Sequence, residues 1–199
     1  MNICIIPARG GSQRIPGKNI RTFHGRPIIE YSIEAAQQHG HFTQIIVSTD
    51  DDAIAHVATT AGAKLHERSA LRSQDSIGTQ EVAMEVLVDV SGMDDFHGKH
   101  NLACVLYPTA PMIDEWVLRS ARAHLMNHYE AMFAMGVGTT PLRDAGQFYY
   151  GRVAAFINLH PLISPQTVMI PIDESRVCDI NLESDWMRAE KMYDKLRRG

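Results

Sequence analysis

NICIIPARGGSQRIPGKN, residues 2–19, is a short apolar run followed by a loop dense in glycine and cations. Ile3, Cys4, Ile5 and Ile6 form an unbroken apolar stretch, the pattern of a strand covered on both faces in a parallel sheet, and Pro7 ends it. Arg9, Gly10, Gly11, Ser12, Arg14, Gly17 and Lys18 then follow just beyond the strand's carboxyl end, which is where open α/β sheets bind ligands. Amides next to glycine approach an anion closely, and Arg and Lys add charge-assisted hydrogen bonds to phosphate oxygens. The stretch therefore reads as a polyphosphate cradle, with a glycine-rich turn carrying solvated cations as the alternative. It fits neither standard phosphate pattern. Walker A needs four residues between its first Gly and the Gly-Lys pair, then Ser or Thr; here Gly11 and Gly17 enclose five, and Asn19 follows Lys18. GxGxxG is absent, and Pro16 disfavours helical geometry at Ile15, so the predicted loop is long.

Working outward, strands and helices alternate. PIIEYSIEAAQQHG (27–40) predicts a helix with Ile28, Tyr31, Ile33, Ala35 and Ala36 on its apolar face and Gly40 as its stop. QIIVSTD (44–50) is a second buried strand, with Thr49 or Asp50 capping a helix over 51–61. Asp50, Asp51 and Asp52 suit that helix start, where carboxylates favour the macrodipole, better than they suit a metal. KLHE (64–67) is a short strand, 68–78 a loop, and Thr79 to Val90 a helix that turns Val82, Val86, Leu87 and Val90 inward. After a polar connection over 94–101, LACVLYPTAP (102–111) repeats the opening logic, and Thr109 offers a hydroxyl at another carboxyl-end loop. The helix over 114–128 buries Val117, Leu118, Ala121 and Leu125; its His124 and His128 lack a third ligand and read as surface. AMFAMGV (131–137) is a fourth strand. DAGQFYYGRVAAFI (144–157) is expected to be extended, bringing Gln147 and Phe148 to a site edge, although aromatics in such a run are more often core. SPQTVMIPI (164–172) returns as a strand, and VCDINLESDW (177–186) enters a closing helix over about 185–196 that buries Trp186, Ala189 and Tyr193.

Composition limits the function classes. A chain of 199 residues fits one domain with an ample core. Net charge is −4 with 21% charged residues, so no basic field for nucleic acid exists and any cationic site is local. No apolar stretch approaches membrane-spanning length, and the opening apolar run is too short for a signal peptide. Cys4, Cys104 and Cys178 are widely spaced within apolar runs, which predicts buried reduced thiols in a cytoplasm and no zinc site.

IIPARGGSQRIPGKN (5–19), VSTDDDAIA (47–55), DSIGTQEV (75–82), YPTAP (107–111), DAGQFYYG (144–151) and CDINLESDW (178–186) stand in the order and approximate spacing of the CMP-sialic acid synthetase (acylneuraminate cytidylyltransferase) family. The chain resembles that family over nearly its whole length, and YPTAP with DAGQFYYG is most similar to its pseudaminic acid branch. The resemblance implies a Rossmann-like three-layer α/β/α nucleotidyltransferase fold with a mostly parallel sheet, spanning 1–199 as one domain. It implies attack by the anomeric hydroxyl of a nine-carbon acidic sugar on CTP, with release of pyrophosphate. Pseudaminic acid is expected first, then legionaminic or N-acetylneuraminic acid. A trimmed nucleotide-binding relative that has lost catalysis is the rival, and transfer to a deoxyoctulosonate or a sugar phosphate a third reading.

By the same resemblance, Arg9, Arg14, Lys18 and Asp179 carry the chemistry. Ala8, Gly10, Gly11, Ser12, Asn19, Arg68, Thr79, Tyr107 and Pro108 face the nucleotide, and Thr109, Arg143, Gln147 and Phe148 face the sugar. Tyr107 stands where sialic acid synthetases usually have Gln, and Arg143 reads either as a partner for the sugar carboxylate or as a surface cation. Mg2+ is expected on Asp179 and Asn181. The family usually has two aspartates in that Asp-Ile-Asp pattern; alternate positions of an extended strand face one side, but Asn181 brings a neutral oxygen and weaker metal binding. Family members also carry an excursion after the fourth strand that contributes sugar contacts and much of a homodimer interface. Here only GTTPLR (138–143) fills that place.

Overall fold

The structure, a computed structural model, describes residues 1–68, 77–91, 98 and 100–198. Most of the loop expected over 68–78 and of the connection expected over 94–101 lies outside the described residues. In chain order the elements are β1 (Asn2–Pro7), β2 (Thr22–Phe23), β3 (Arg26–Pro27), α1 (Ile28–His39), β4 (Gln44–Thr49), α2 (Asp52–Thr60), β5 (Lys64–Glu67) and α3 (Thr79–Ser91). Then come β6 (Leu102–Leu106), α4 (Glu115–Asn127), β7 (Phe133–Thr139), β8 (Leu142–Arg152), α5 (Val153–Ile157), β9 (Thr167–Pro171) and α6 (Glu183–Arg198). Seven strands form one sheet in the order β5-β4-β1-β6-β8-β7-β9, and β2 pairs with β3 in a separate ribbon.

β1 lies inside the sheet, parallel to β4 on one side and β6 on the other. Its alternate residues feed two cores: Cys4 and Ile6 pack with Ile29 and Ile33 of α1 and Leu118 and Ala121 of α4, whereas Ile3 and Ile5 pack with Ala83, Val86 and Leu87 of α3. Both faces are covered, which is why the run shows no polar alternation. β8 alone is reversed, antiparallel to β6 and β7, while β7 and β9 pair in parallel, so the sheet is mostly parallel as expected.

Four local expectations change. Asp51, rather than Thr49 or Asp50, caps α2 by accepting from Ile54 N at 3.0 Å. The extended segment predicted over 144–157 ends at Arg152, whose guanidinium is held by the carbonyls of Ala131, Leu125 and His128. Val153–Ile157 then forms α5, because a wholly apolar five-residue run has no periodicity to separate strand from helix. The third change is the short ribbon of β2 and β3, which the sequence pattern hid. The fourth is Phe148, expected at a site edge: it is fully buried in the core on the α1 and α4 face, since β8 lies between two other strands.

β7 ends at Thr139 and β8 begins at Leu142, leaving Thr140 and Pro141 as the tip of the hairpin.

The last helix is brought back to the first loop by aromatic packing. Phe23 on β2 is fully buried, its ring 5.6 Å from Trp186 and 5.4 Å from Tyr193 of α6. Burying a side chain of that size contributes about 2–3 kcal/mol. Arg21 adds a guanidinium 4.4 Å above Trp186 and an ion pair of 2.6 Å with Glu183. The segment from Cys178 to Asn181, which leads into α6, is thereby set beside the β1 loop.

Candidate active site

The loop after β1 is held by its own bonds. Ala8 N donates to Ser48 O at 2.9 Å, Gly10 N to Asp50 Oδ1 at 2.9 Å, Ser12 N to Gly10 O at 2.9 Å, and Asn19 Nδ2 to Arg9 O at 2.9 Å. Ile15, fully buried against the Phe23 cluster, anchors the middle of the loop. Of the glycine-loop amides expected to face phosphate, those of Gly10 and Ser12 are engaged within the fold. What the loop turns into the cleft is chiefly side chains. Arg9, Ser12, Arg14, Lys18 and Asn19 line one wall of a cleft of about 510 Å³ at the carboxyl ends of β1 and β6, and Ala8, Gly10 and Gly11 do not line it.

Arg68, Thr79, Tyr107, Pro108 and Thr109 line the same cleft. Tyr107 is fixed from three directions: its N–H donates to Gln147 O at 2.9 Å, its carbonyl accepts from Ser32 Oγ at 2.8 Å, and its hydroxyl lies 2.9 Å from Thr79 Oγ1. Burial pushes the phenol above its ordinary pKa, against the Thr79 hydrogen bond, so it stays protonated. Pro7, Gln13, Ile77 and Val82 also line the cleft and were not singled out from the sequence. Gln13 carries no charge among charged neighbours, and Val82 counts as core on its helix face, so neither stands out in the pattern.

Asp179 and Asn181 come together as their spacing predicted, Asn181 Nδ2 donating to Asp179 Oδ2 at 2.5 Å, although the segment is not a strand. Lys18 bridges to it, Nζ donating to Ile180 O at 2.7 Å. Burial lowers the Lys18 pKa, and the negative charge of Asp179 opposes that shift. Asp185, in the first turn of α6, accepts from Asn181 N at 3.0 Å and Leu182 N at 2.8 Å, a carboxylate reaching back to cap its own helix. Gly146 forms the floor under Asp179: with φ +62°, it sits where an added Cβ would meet Asp179 Cγ at 3.0 Å. Asp144 holds this floor, accepting from Gly146 N at 2.8 Å and from the Tyr149 hydroxyl.

Among the four predicted sugar contacts only Thr109 reaches the cleft. Phe148 is in the core. Gln147 is 2% exposed, with Nε2 donating to Arg176 O at 2.6 Å, so its amide is turned to the segment after β9. Arg143 lies on the β7–β8 hairpin in an ion pair of 2.8 Å with Glu174, which also accepts from Thr139 N and Thr140 N. That pairing holds the Glu174 carboxyl down at about 2 and makes Arg143 a hairpin clamp outside the cleft, which favours the surface-cation reading over the sugar-carboxylate one. No group of three or more His, Cys, Asp or Glu is disposed to hold a metal among the described residues, and His124 bonds to Ser120 O instead. The three cysteines are buried free thiols, and no helix of the described residues is long and apolar enough to cross a membrane.

Pseudaminic acid cytidylyltransferase from Campylobacter jejuni is 30% identical over 224 residues, covering 96% of each chain. Those 224 aligned positions against a chain of 199 residues leave at least 25 positions of the relative without a counterpart here. CMP-N,N'-diacetyllegionaminic acid synthase from Legionella pneumophila is 37% identical over 123 residues, covering 60% of this chain and 50% of its own. The fold is similar to that of a CMP:2-keto-3-deoxy-manno-octonic acid synthetase complexed with CTP, with a TM-score of 0.78 at 15% identity and 98% of each chain covered. Residues 3–191 match the cytidylyltransferase family model, a span running from β1 through the Asp179 segment into α6, and the chain belongs to that family of nucleotidyltransferase enzymes.

Proposed function

We propose that this chain transfers a cytidylyl group from CTP to the anomeric hydroxyl of a nine-carbon acidic sugar, pseudaminic acid before legionaminic or N-acetylneuraminic acid. The observation that carries the reading is Lys18. It lines the cleft with Arg9 and Arg14, and it also bonds to Ile180 O, so the cationic loop and the Asp179 carboxylate come from opposite ends of the sequence to one place. The near full-length likeness to a pseudaminic acid cytidylyltransferase supports the choice of sugar, and strands from residues 2 to 171 sharing one sheet support one domain.

In this reading the guanidinium groups of Arg9 and Arg14 and the Lys18 ammonium offset the charge that builds on the triphosphate as its α-phosphorus is attacked. Tyr107, Thr79, Arg68 and Asn19 enclose the nucleoside. The anomeric oxygen forms the new bond to phosphorus, the bond to the pyrophosphate oxygen breaks, and Asp179 takes the hydroxyl proton. The family implies a divalent cation, Mg2+ in our reading. When bound, it supplies neutralisation of the triphosphate and a lower pKa for a coordinated hydroxyl. Asp179 and the Asn181 amide oxygen would hold it. The donor set fits a hard cation that keeps waters and takes one or two carboxylates plus substrate phosphates, and it does not fit an all-protein cage.

Two observations favour a second reading, a nucleotide-binding relative with catalysis lost: the neutral Asn181 and the short two-residue tip between β7 and β8. Pyrophosphate release from CTP and Mg2+, with each of the three sugars offered separately, decides between them. Release with one sugar is the expected result and names the substrate; calorimetric CTP binding without release from any sugar would favour the second reading.

A further inference from the structure

Behind the cleft wall, four side chains pass hydrogens in one direction. His66 on β5 has Nε2 at 3.0 Å from Asp89 Oδ2 on α3 and Nδ1 at 3.1 Å from Ser48 Oγ on β4. A carboxylate only accepts, so in the neutral imidazole Nε2 carries the proton and Nδ1 is the acceptor for the Ser48 hydroxyl. With its hydrogen committed, Ser48 Oγ accepts from Arg68 Nε at 3.3 Å, while Ser48 O accepts from Arg68 Nη2 at 3.0 Å. Donors and acceptors match at every link. Ser48 is fully buried, His66 and Arg68 are 8% and 9% exposed, and only Asp89, 60% exposed at its side chain, meets solvent.

Serine, histidine and aspartate in series also make up a nucleophile triad, but this hydroxyl is inside the sheet and already receives an arginine N–H, so nothing can reach it to be attacked. The output of the chain is Arg68. Two N–H groups pinned to one serine fix the plane of the guanidinium, and Arg68 presents that plane to the cleft. Asp50, Glu85 and Arg9 supply the other charges around it.

We infer that His66 and Asp89 are positioning residues for Arg68, setting the affinity of the cleft for a nucleoside triphosphate from outside it. This rests on the nucleotide reading of the cleft. It also joins α3, which brings Thr79 and Val82 to the cleft, to the strands that bring Arg68.

The test is calorimetric titration of CTP with Mg2+ into the wild type and the variants Arg68→Ala, His66→Ala, His66→Asn, Asp89→Asn and His66→Ala/Arg68→Ala, with saturated turnover measured alongside. His66→Ala is expected to weaken CTP about tenfold, the effect of a single misplaced charge-assisted contact, and Asp89→Asn about threefold, both with little change in kcat. His66→Asn, whose amide oxygen can take the Ser48 hydroxyl, recovers most of the affinity. In the Arg68→Ala background His66→Ala adds nothing, because its effect runs through that guanidinium. An equal loss in both backgrounds would mean a general structural role and overturn the inference. So would unchanged CTP affinity in Asp89→Asn, a surface substitution that keeps the test open if His66→Ala fails to fold. A wild type that binds no CTP, or an Arg68→Ala variant that binds it normally, would instead strike at the nucleotide reading, and each is seen without touching His66.

Discussion

Gly146→Ala separates the backbone from the chemistry at Asp179. Residue 146 has φ +62°, so any L side chain there enters the left-handed region at about 1–2 kcal/mol. The new Cβ would also stand 3.0 Å from Asp179 Cγ, 3.2 Å from its Cβ and 3.3 Å from Oδ1. Restoring ordinary contact requires a relative shift of about 0.5–1 Å, and misplacement on the order of 1 Å costs up to about a hundredfold in rate. Gly40→Ala is the matched control. It carries φ +74° at the end of α1, but its nearest neighbour would be Gln38 O at 3.7 Å, an ordinary contact. Both variants should lose a similar 1–2 kcal/mol, seen as a drop in Tm of about 2–8 °C for a chain of this size. Only Gly146→Ala should lose turnover, by about 10–100-fold in kcat for pyrophosphate release at saturating CTP and sugar. Equal stability loss with equal, near wild-type kcat in the two variants would refute the idea that Gly146 seats the Asp179 carboxylate.

Asp179→Asn is expected to abolish metal-dependent turnover with the melting curve unchanged, whereas Asn181→Asp should lower the Mg2+ concentration needed for half-maximal rate; an unmoved titration would remove position 181 from the metal. His39, 1% exposed and stacked on Phe42 at 4.2 Å, has its pKa lowered to about 4 by burial and then by the nearby His41, Arg122 and Arg119 charges. Between that value and the ordinary 6.5 the unfolded chain binds a proton that the folded one does not, so stability is complete above pH 6.5 and falls by up to about 3 kcal/mol as pH drops to 4. Across that range the urea midpoint of wild type should fall relative to that of His39→Phe as pH drops, and parallel curves would contradict this account.

How much of the site the sequence could carry depended on whether a feature was local. The β1 loop was legible because its meaning lies in eighteen consecutive residues, apolar then cationic, and the Asp179 and Asn181 pairing because alternate positions in extended chain share a side whether or not a strand forms. Gln147 and Phe148 are buried, away from a site edge, for a non-local reason. In an edge segment DAGQFYYG would alternate between site and solvent, but β8 is inserted in reverse between β6 and β7, so Phe148 meets the core of one face and Tyr149 the other. In sequence Asp50 is part of a helix start and His66 part of a short strand, since nothing within a few residues of either hints at a partner. Their roles come from register. Pairing Pro7 with Ser48 and Ser48 with His66 lays three strand ends side by side, so Asp50 reaches Gly10 of one loop and His66 reaches the serine that grips Arg68. A ligand-facing arginine can be guessed from a motif, but the groups that aim it belong to whichever strands the sheet order makes neighbours. That is why Arg68 was visible in the sequence and the His66 and Asp89 links behind it were not.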